Sequence, residues 1–278
     1  MRFATHALAV LALAAVPVAA EDLTFTSKVT KDGAPAGTTT TYISSDHARF
    51  SQTQGQEAIL DLTTGNTTVI NGVKKEYFVI TPQDWDTLAA RMKEMMNSPE
   101  MQKAQQQMKE AQEKMKNLPP DVQKKMQAMM GGGMMGAAAA DVEVKKLGTT
   151  HKIAGYTCDD WTWSYGQMTK TDQCLTTELP LPAQTLEHYR EYSQKMLSMM
   201  QAMGPMAKGV AQMQEKMRDM KGIPLSSTST VSVMGRNSIT KTEVTEVKKG
   251  AIPASTWQPP AGYTKVPNPM LKEMAPKH

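Results

Sequence analysis

After its first twenty residues the chain alternates strictly. In "LTFTSKV" the apolar Leu23, Phe25 and Val29 share one parity with Ser27, while Thr24, Thr26 and Lys28 take the other. That is the period of a strand with one buried face. "KDGAPAG" reads as the turn that ends it. The runs "TTTTYIS", "ARFSQT", "AILDL", "TTVIN" and "EYFVI" follow, separated by "SSDH", "QGQ", "TTGN" and "GVKK". Short β-branched and aromatic runs split by turn residues predict an antiparallel meander from Asp22 to Ile80.

The period then changes to that of a helix. Thr81 is a good N-cap, Pro82 fits the first helical position and Asp84 completes a capping box. Trp85, Leu88, Met92 and Met95 follow at helical spacing, and Ser98-Pro99-Glu100 starts a second helix. Its seam alternates steps of three and four through Met101, Ala104, Met108, Ala111, Met115 and Leu118. A short third helix is expected to carry Val122, Met126, Met129 and Met130, before "GGGMMGAAAA" breaks the pattern as a flexible link.

Strand patterning returns from Asp141 to about Thr177 in "DVEVKKLG", "HKIAGYT", "CDDWTWSY" and "KTDQCLTT", with Trp161, Trp163 and Tyr165 on one face. A second helical insert follows "LPLPA", with a seam of Leu186, Tyr189, Ser193, Met196, Met200 and Met203. Gly204-Pro205 restarts it, Met206, Val210, Met213, Met217 and Met220 continue it, and Gly222 and Pro224 close it. A strand pair, "STVSVM" and "SITKTEVTEV" around "GRN", precedes a Pro-rich tail from Gly250. The pattern predicts one α+β domain over 21–278: an antiparallel sheet interrupted by helical inserts at about 82–130 and 183–221.

The twenty leading residues change the picture of where this domain works. "MRFATHALAVLALAAVPVAA" has a basic start, an apolar run and small residues at Val18 and Ala20, the form of a secretory signal peptide over 1–20. The apolar run is too short to suggest a membrane span, so an exported, periplasmic or secreted protein is expected. The net charge of +4 is near balance for 278 residues and gives no field suited to nucleic acid. In an oxidising compartment the only two cysteines, Cys158 and Cys174, are expected to form a disulfide between neighbouring antiparallel strands.

The strand motifs carry a resemblance. "AILDLTTGNTTVINGVKKEYFVI", "HKIAGYTCDDW" and "WQPPAGYTKV" resemble segments of an uncharacterised exported family with a "GYxC" signature, a domain of unknown function, matched here at Gly155, Tyr156 and Cys158. That resemblance covers the strand regions. It implies the fold of the LolA and LolB lipoprotein carriers, in which a curved antiparallel sheet wraps helices and can hold acyl chains.

Nineteen of the 24 methionines lie in or beside the two inserts, so the choice of thioether over leucine falls on the helices and not on the sheet. As packing, methionine forms helix well and fills irregular gaps. As function, the same softness suits an adaptable wall for an apolar ligand or lipid. Trp85, Met92, Met101, Met108, Met115, Met196, Met200, Met203, Met213 and Met217 are the candidate seam. The alternative is Cu(I), for which thioethers are suitable ligands, at Met129, Met130, Met134 and Met135 around the glycine run. A third reading is a protein–protein interaction module. No catalytic motif stands out: Asp159 and Asp160 are adjacent and so face opposite sides of a strand. A non-enzyme without a cofactor is expected.

Overall fold

The computed structural model describes residues 21–52, 55–116, 142–166, 168–179, 181, 183–201, 212, 215–233 and 236–273. The meander predicted from the alternation is β1 (Leu23–Lys31), β2 (Ala34–Ile43), β3 (His47–Ser51), β4 (Gln56–Asp61), β5 (Thr67–Asn71) and β6 (Glu76–Ile80). Helices α1 (Pro82–Met96) and α2 (Pro99–Lys116) come next. Strands β7 (Val142–Ile153), β8 (Tyr156–Tyr165) and β9 (Thr169–Thr176) lead to α3 (Ala183–Gln201). The chain continues with β10 (Ile223–Val233), β11 (Arg236–Lys249), a 3₁₀ turn (Ala254–Trp257), β12 (Thr264–Lys265) and α4 (Pro269–Glu273).

The twelve strands of the described residues join one curved sheet in the order β12-β6-β5-β4-β3-β2-β1-β11-β10-β9-β8-β7. Every pairing is antiparallel except that of β12 with β6. The centre of the sheet is a long-range pairing, with Leu23 opposite Lys249.

Local chemistry explains most of the boundaries. Asp32 and Gly33 both have positive φ, 51° and 83°, as a two-residue hairpin with the strand twist requires. The turn is therefore only these two residues, and "APAG" belongs to β2 instead of the predicted loop. Ala154 and Gly155, at φ 49° and 91°, turn β7 into β8 in the same way. "VEVKKLG" and "HKI" are accordingly one strand. The break expected at Gly148 is a bulge, the register shifting between Lys146 and Thr150. Pro224, predicted to end a helix, lies inside β10 opposite Leu175, beside a register shift before Ser226. The capping box of α1 forms as read: Asp84 N donates to Thr81 Oγ1 (3.1 Å) and Thr81 N to Asp84 Oδ2 (2.8 Å). Met101 N likewise donates to Ser98 Oγ (3.3 Å) at the start of α2.

The core has two centres. Leu23, Phe25, Ile43, Ile223, Leu225 and Val244 are buried together with Leu179 and both cysteines. Cys158 and Cys174 are bonded to each other, linking β8 to β9. The tip of the β7–β8 hairpin, Ile153 to Tyr156, packs against this cluster. The second centre is Ala48, Leu60 and Leu62, covered by Phe50 and by Tyr189 and Tyr192 of α3. α3 thus lies on the concave face over β3 and β4. Its first turn is fixed by Thr185, fully buried, whose Oγ1 donates to the Ser44 carbonyl (3.2 Å).

The tail from Gly250 to Glu273 is structured, which its proline content did not suggest. Trp257 stacks on His47, with ring centroids 5.2 Å apart, and meets Tyr42 edge-on. Arg49 donates to Glu57 (Nε–Oε2 2.7 Å) and to the Thr256 carbonyl (Nη1–O 2.6 Å). Tyr42 and Arg49 are register partners, and so are Arg49 and Ile59, so this strap crosses the face opposite α3. Ile59 and Ile70 are buried there. β12 then pairs with Glu76 and Tyr77 and covers the β6 edge.

Candidate functional site

A cleft of about 450 Å³ opens between α3 and the middle of the sheet. The sheet supplies Phe25 and Ser27 from β1, Thr39, Thr41 and Ile43 from β2, Phe50 from β3, and Thr242 and Val244 from β11. β10 adds Ile223 to Ser227, and α3 with its lead-in adds Leu181, Leu186 and Tyr189. Along β1 and β2 strand alternation explains the composition, because residues of one parity face the helix, whereas β10 contributes consecutive residues around its register shift. Among the described residues none of the lining side chains is charged. The polar ones are hydroxyls, which can both donate and accept.

Two details shape the rim. Leu186 lines the cleft yet is 51% exposed, an apolar side chain left at its mouth. Gly222 has φ +117°, and a Cβ there would stand 2.5 Å from the Thr176 carbonyl oxygen, so only glycine fits this approach. Burial pushes the Tyr189 hydroxyl up to about 12, with Tyr192 adding to the rise. The Tyr192 hydroxyl itself lies 3.4 Å from Thr67 Oγ1.

The predicted seam residues are distributed unevenly about this cleft. Trp85 and Met92 of α1, Met101 of α2 and Met217 are half-buried and are not among its lining residues. The backbones of Met108, Met115, Met196 and Met200 are helical, but their side chains, like Met203 and Met213 as a whole, lie outside the described residues. Met129, Met130, Met134 and Met135, the copper alternative, also lie outside them. The cleft wall is carried instead by hydroxyls read only as strand, Thr39, Thr41 and Thr242, and by Ser226 and Ser227, which precede the strand read as "STVSVM". The signal of Thr39 and Thr41 was the parity shared with Phe25 and Ile43.

Asp159 and Asp160 separate as expected. Asp159 pairs with Lys146 (2.7 Å), while Asp160 accepts from Thr149 Oγ1 (2.6 Å) and contacts His151 Nε2 (2.8 Å). Among the described residues no three His, Cys, Asp or Glu side chains converge as a metal site, and no helix is long and apolar enough to cross a membrane. A second groove, about 390 Å³, is lined by Glu143, Lys145, Lys170 and hydroxyls of β8 to β10.

The geometry defines a class: a curved antiparallel sheet that holds a helix across an uncharged cleft. The family follows from the sequence match. A model described as a domain of unknown function (DUF4412) covers residues 83–263, well over half of the chain, and the chain belongs to that family. Gly155, Tyr156, Cys158 and the Trp257–Tyr263 stretch fall inside the match, whereas Ala58–Ile80 precedes it. No curated protein matches the chain. Among solved structures it is similar to "PNGF-II in C2 space group" at 10% identity and TM-score 0.39, over 92% of this chain and 32% of that one. It is also similar to the MucA/MucB complex of Pseudomonas aeruginosa at 12% identity and TM-score 0.36, over 87% of this chain and 56% of that one. An uncharacterised conserved protein from Thermus thermophilus gives 7% identity and TM-score 0.32, over 89% and 90%. The chain spans a third of the first relative and just over half of the second.

Proposed function

We propose that this chain is an exported binding protein, not an enzyme, and that the cleft between α3 and the concave face takes a lipid or another apolar ligand. The observation that carries the reading is the lining: aromatic and aliphatic walls, scattered hydroxyls and no charge, in a volume of about 450 Å³. That is the usual make-up and size of a small-molecule pocket. The hydroxyls of Ser27, Thr39, Thr41 and Thr242 would meet the ester or carboxyl end, and Phe50, Leu186 and Tyr189 would hold the chain. The fold is read as LolA/LolB-like, because a curved antiparallel sheet embracing a helix is what the sequence resemblance implied. The Cys158–Cys174 bridge supports an oxidising compartment, the periplasm or the exterior. The methionines of the helices would supply the adaptable part of the wall.

The test has two arms. Native mass spectrometry of the protein taken from its own exported fraction should show an added lipid-sized mass. Delipidated protein should bind a graded series of fluorescent fatty acids, and Leu186→Glu should weaken that binding roughly ten-fold or more, since it replaces an apolar contact with a charge. Leu186 is half-exposed, so the variant should remain folded. A native protein that carries no adduct and binds none of the series overturns the reading.

A further inference from the structure

The two ends of the sheet are finished differently. The β6 edge is covered by the chain's own β12, whereas β7 ends the strand order and pairs only with β8 among the described residues. An uncovered edge presents a row of backbone donors and acceptors ready for another strand. We propose that β7 is a self-pairing edge, through which two copies of this chain join antiparallel into one continuous sheet.

The charge order of the strand selects the partner. Val142 to Lys146 reads "VEVKK". Laid antiparallel against itself about Val144, this stretch sets Glu143 opposite Lys145 of the second copy, Lys145 opposite Glu143, and Val144 opposite Val144. Both charge pairs fall on one face and the valine pair on the other. Centring on Glu143 or on Lys145 instead would place like charges together, and a one-residue slip would set Val144 against Lys145. Glu143 and Lys145 are exposed, and among the described residues neither has an ion pair or hydrogen bond. Lys146, by contrast, is held by Asp159 and lies over the Trp161 ring.

The bulge between Lys146 and Thr150, with Gly148 at φ +79°, limits the pairing to this short stretch. Lys216 Nζ already donates to the Val142 carbonyl at its near end. The ladder is therefore short. It buries far less than the roughly 1,200–2,000 Å² of a standard stable interface. The dimer is weak, forms as concentration rises and loosens with salt. The two-fold makes the contact isologous, so every substitution acts twice.

That doubling gives the test. Sedimentation of the full mature chain over a range of concentrations at low salt should show a monomer–dimer equilibrium. Glu143→Lys alone faces lysine with lysine, and Lys145→Glu alone faces glutamate with glutamate. Each should weaken self-association roughly ten-fold or more, as two attractive cross-strand pairs become repulsive. An equimolar mixture of the two variants should recover the dimer, because each lysine then faces a glutamate, and so should the double swap on one chain. Circular dichroism should show all forms folded, both sites being exposed. A native chain that stays monomeric overturns the proposal. So do single variants that associate like the native chain, or a mixture that fails to recover.

Discussion

Tyr189 shows how one residue reports on the cleft. Its ring covers the Ala48–Leu60–Leu62 centre and its edge lines the cleft, so its hydroxyl is drawn out of water. Ionisation then disfavours the fold, and the hydroxyl is held near 12 against an ordinary 10.0. The neutral phenol is the form the fold keeps. Its contribution is complete below the unfolded value and is lost as pH rises from about 10 toward 12. Ultraviolet titration of the phenolates should show a late component that Tyr189→Phe removes, while the remaining tyrosines keep their order. Apolar ligand in the cleft should move that component later still. If Tyr189→Phe leaves the titration curve unchanged, its hydroxyl is not buried in solution.

At the scale of elements, α3 is tied to the sheet by the buried Thr185–Ser44 hydrogen bond and by two tyrosines, and it also touches α1. Thr185→Val keeps the shape of the side chain but leaves the Ser44 carbonyl without its donor. Urea unfolding should register a loss of about 1–3 kcal/mol, and fatty-acid binding should fall with it because the helix is one wall of the cleft. No change in either would mean that Tyr189, Tyr192 and the contact with α1 seat the helix without that bond. The start signals of α1 and α2 and the alternation of β1 to β6 were legible from sequence because they are local: a cap needs four residues, a strand face needs every second one. The merging of "VEVKKLG" with "HKI" was not legible, since Gly148 in a bulge and glycine in a turn look alike until a partner strand sets the register. The strap was missed for a related reason. Trp257 and Thr256 find their partners, His47 and Arg49, some two hundred residues away, and nothing nearby in sequence announces the contact. Of the cleft, the apolar parity of Phe25 and Ile43 could be read, but not which hydroxyl strands would stand beside them.

Across the whole molecule, the disulfide closes a sixteen-residue separation between β8 and β9 and is buried in the larger core centre. The chain-entropy model assigns such a bridge about 3 kcal/mol. Replacing Cys158 and Cys174 together by alanine should cost roughly that much in urea unfolding, with part of the loss coming from the two missing core side chains. Unaltered stability would show that the sheet does not depend on the bridge. The bridge is a local clasp, however, and although it packs against β1 and β11 it does not tie the longest reach in the fold.

That reach is the pairing of β1 with β11 at the centre of the sheet. It has a consequence in time. The meander β1 to β6 can assemble from neighbours in sequence, yet β1, with Leu23, Phe25 and Val29 on one face, keeps one edge open until a strand more than two hundred residues downstream arrives. Closing so long a loop is slow compared with forming the hairpins. In the interval the half-built sheet is a sticky template for any other extended chain. A polypeptide with its earliest strand in the middle of its sheet is thus at its most vulnerable just before it is finished, and the cell must shelter it for that interval.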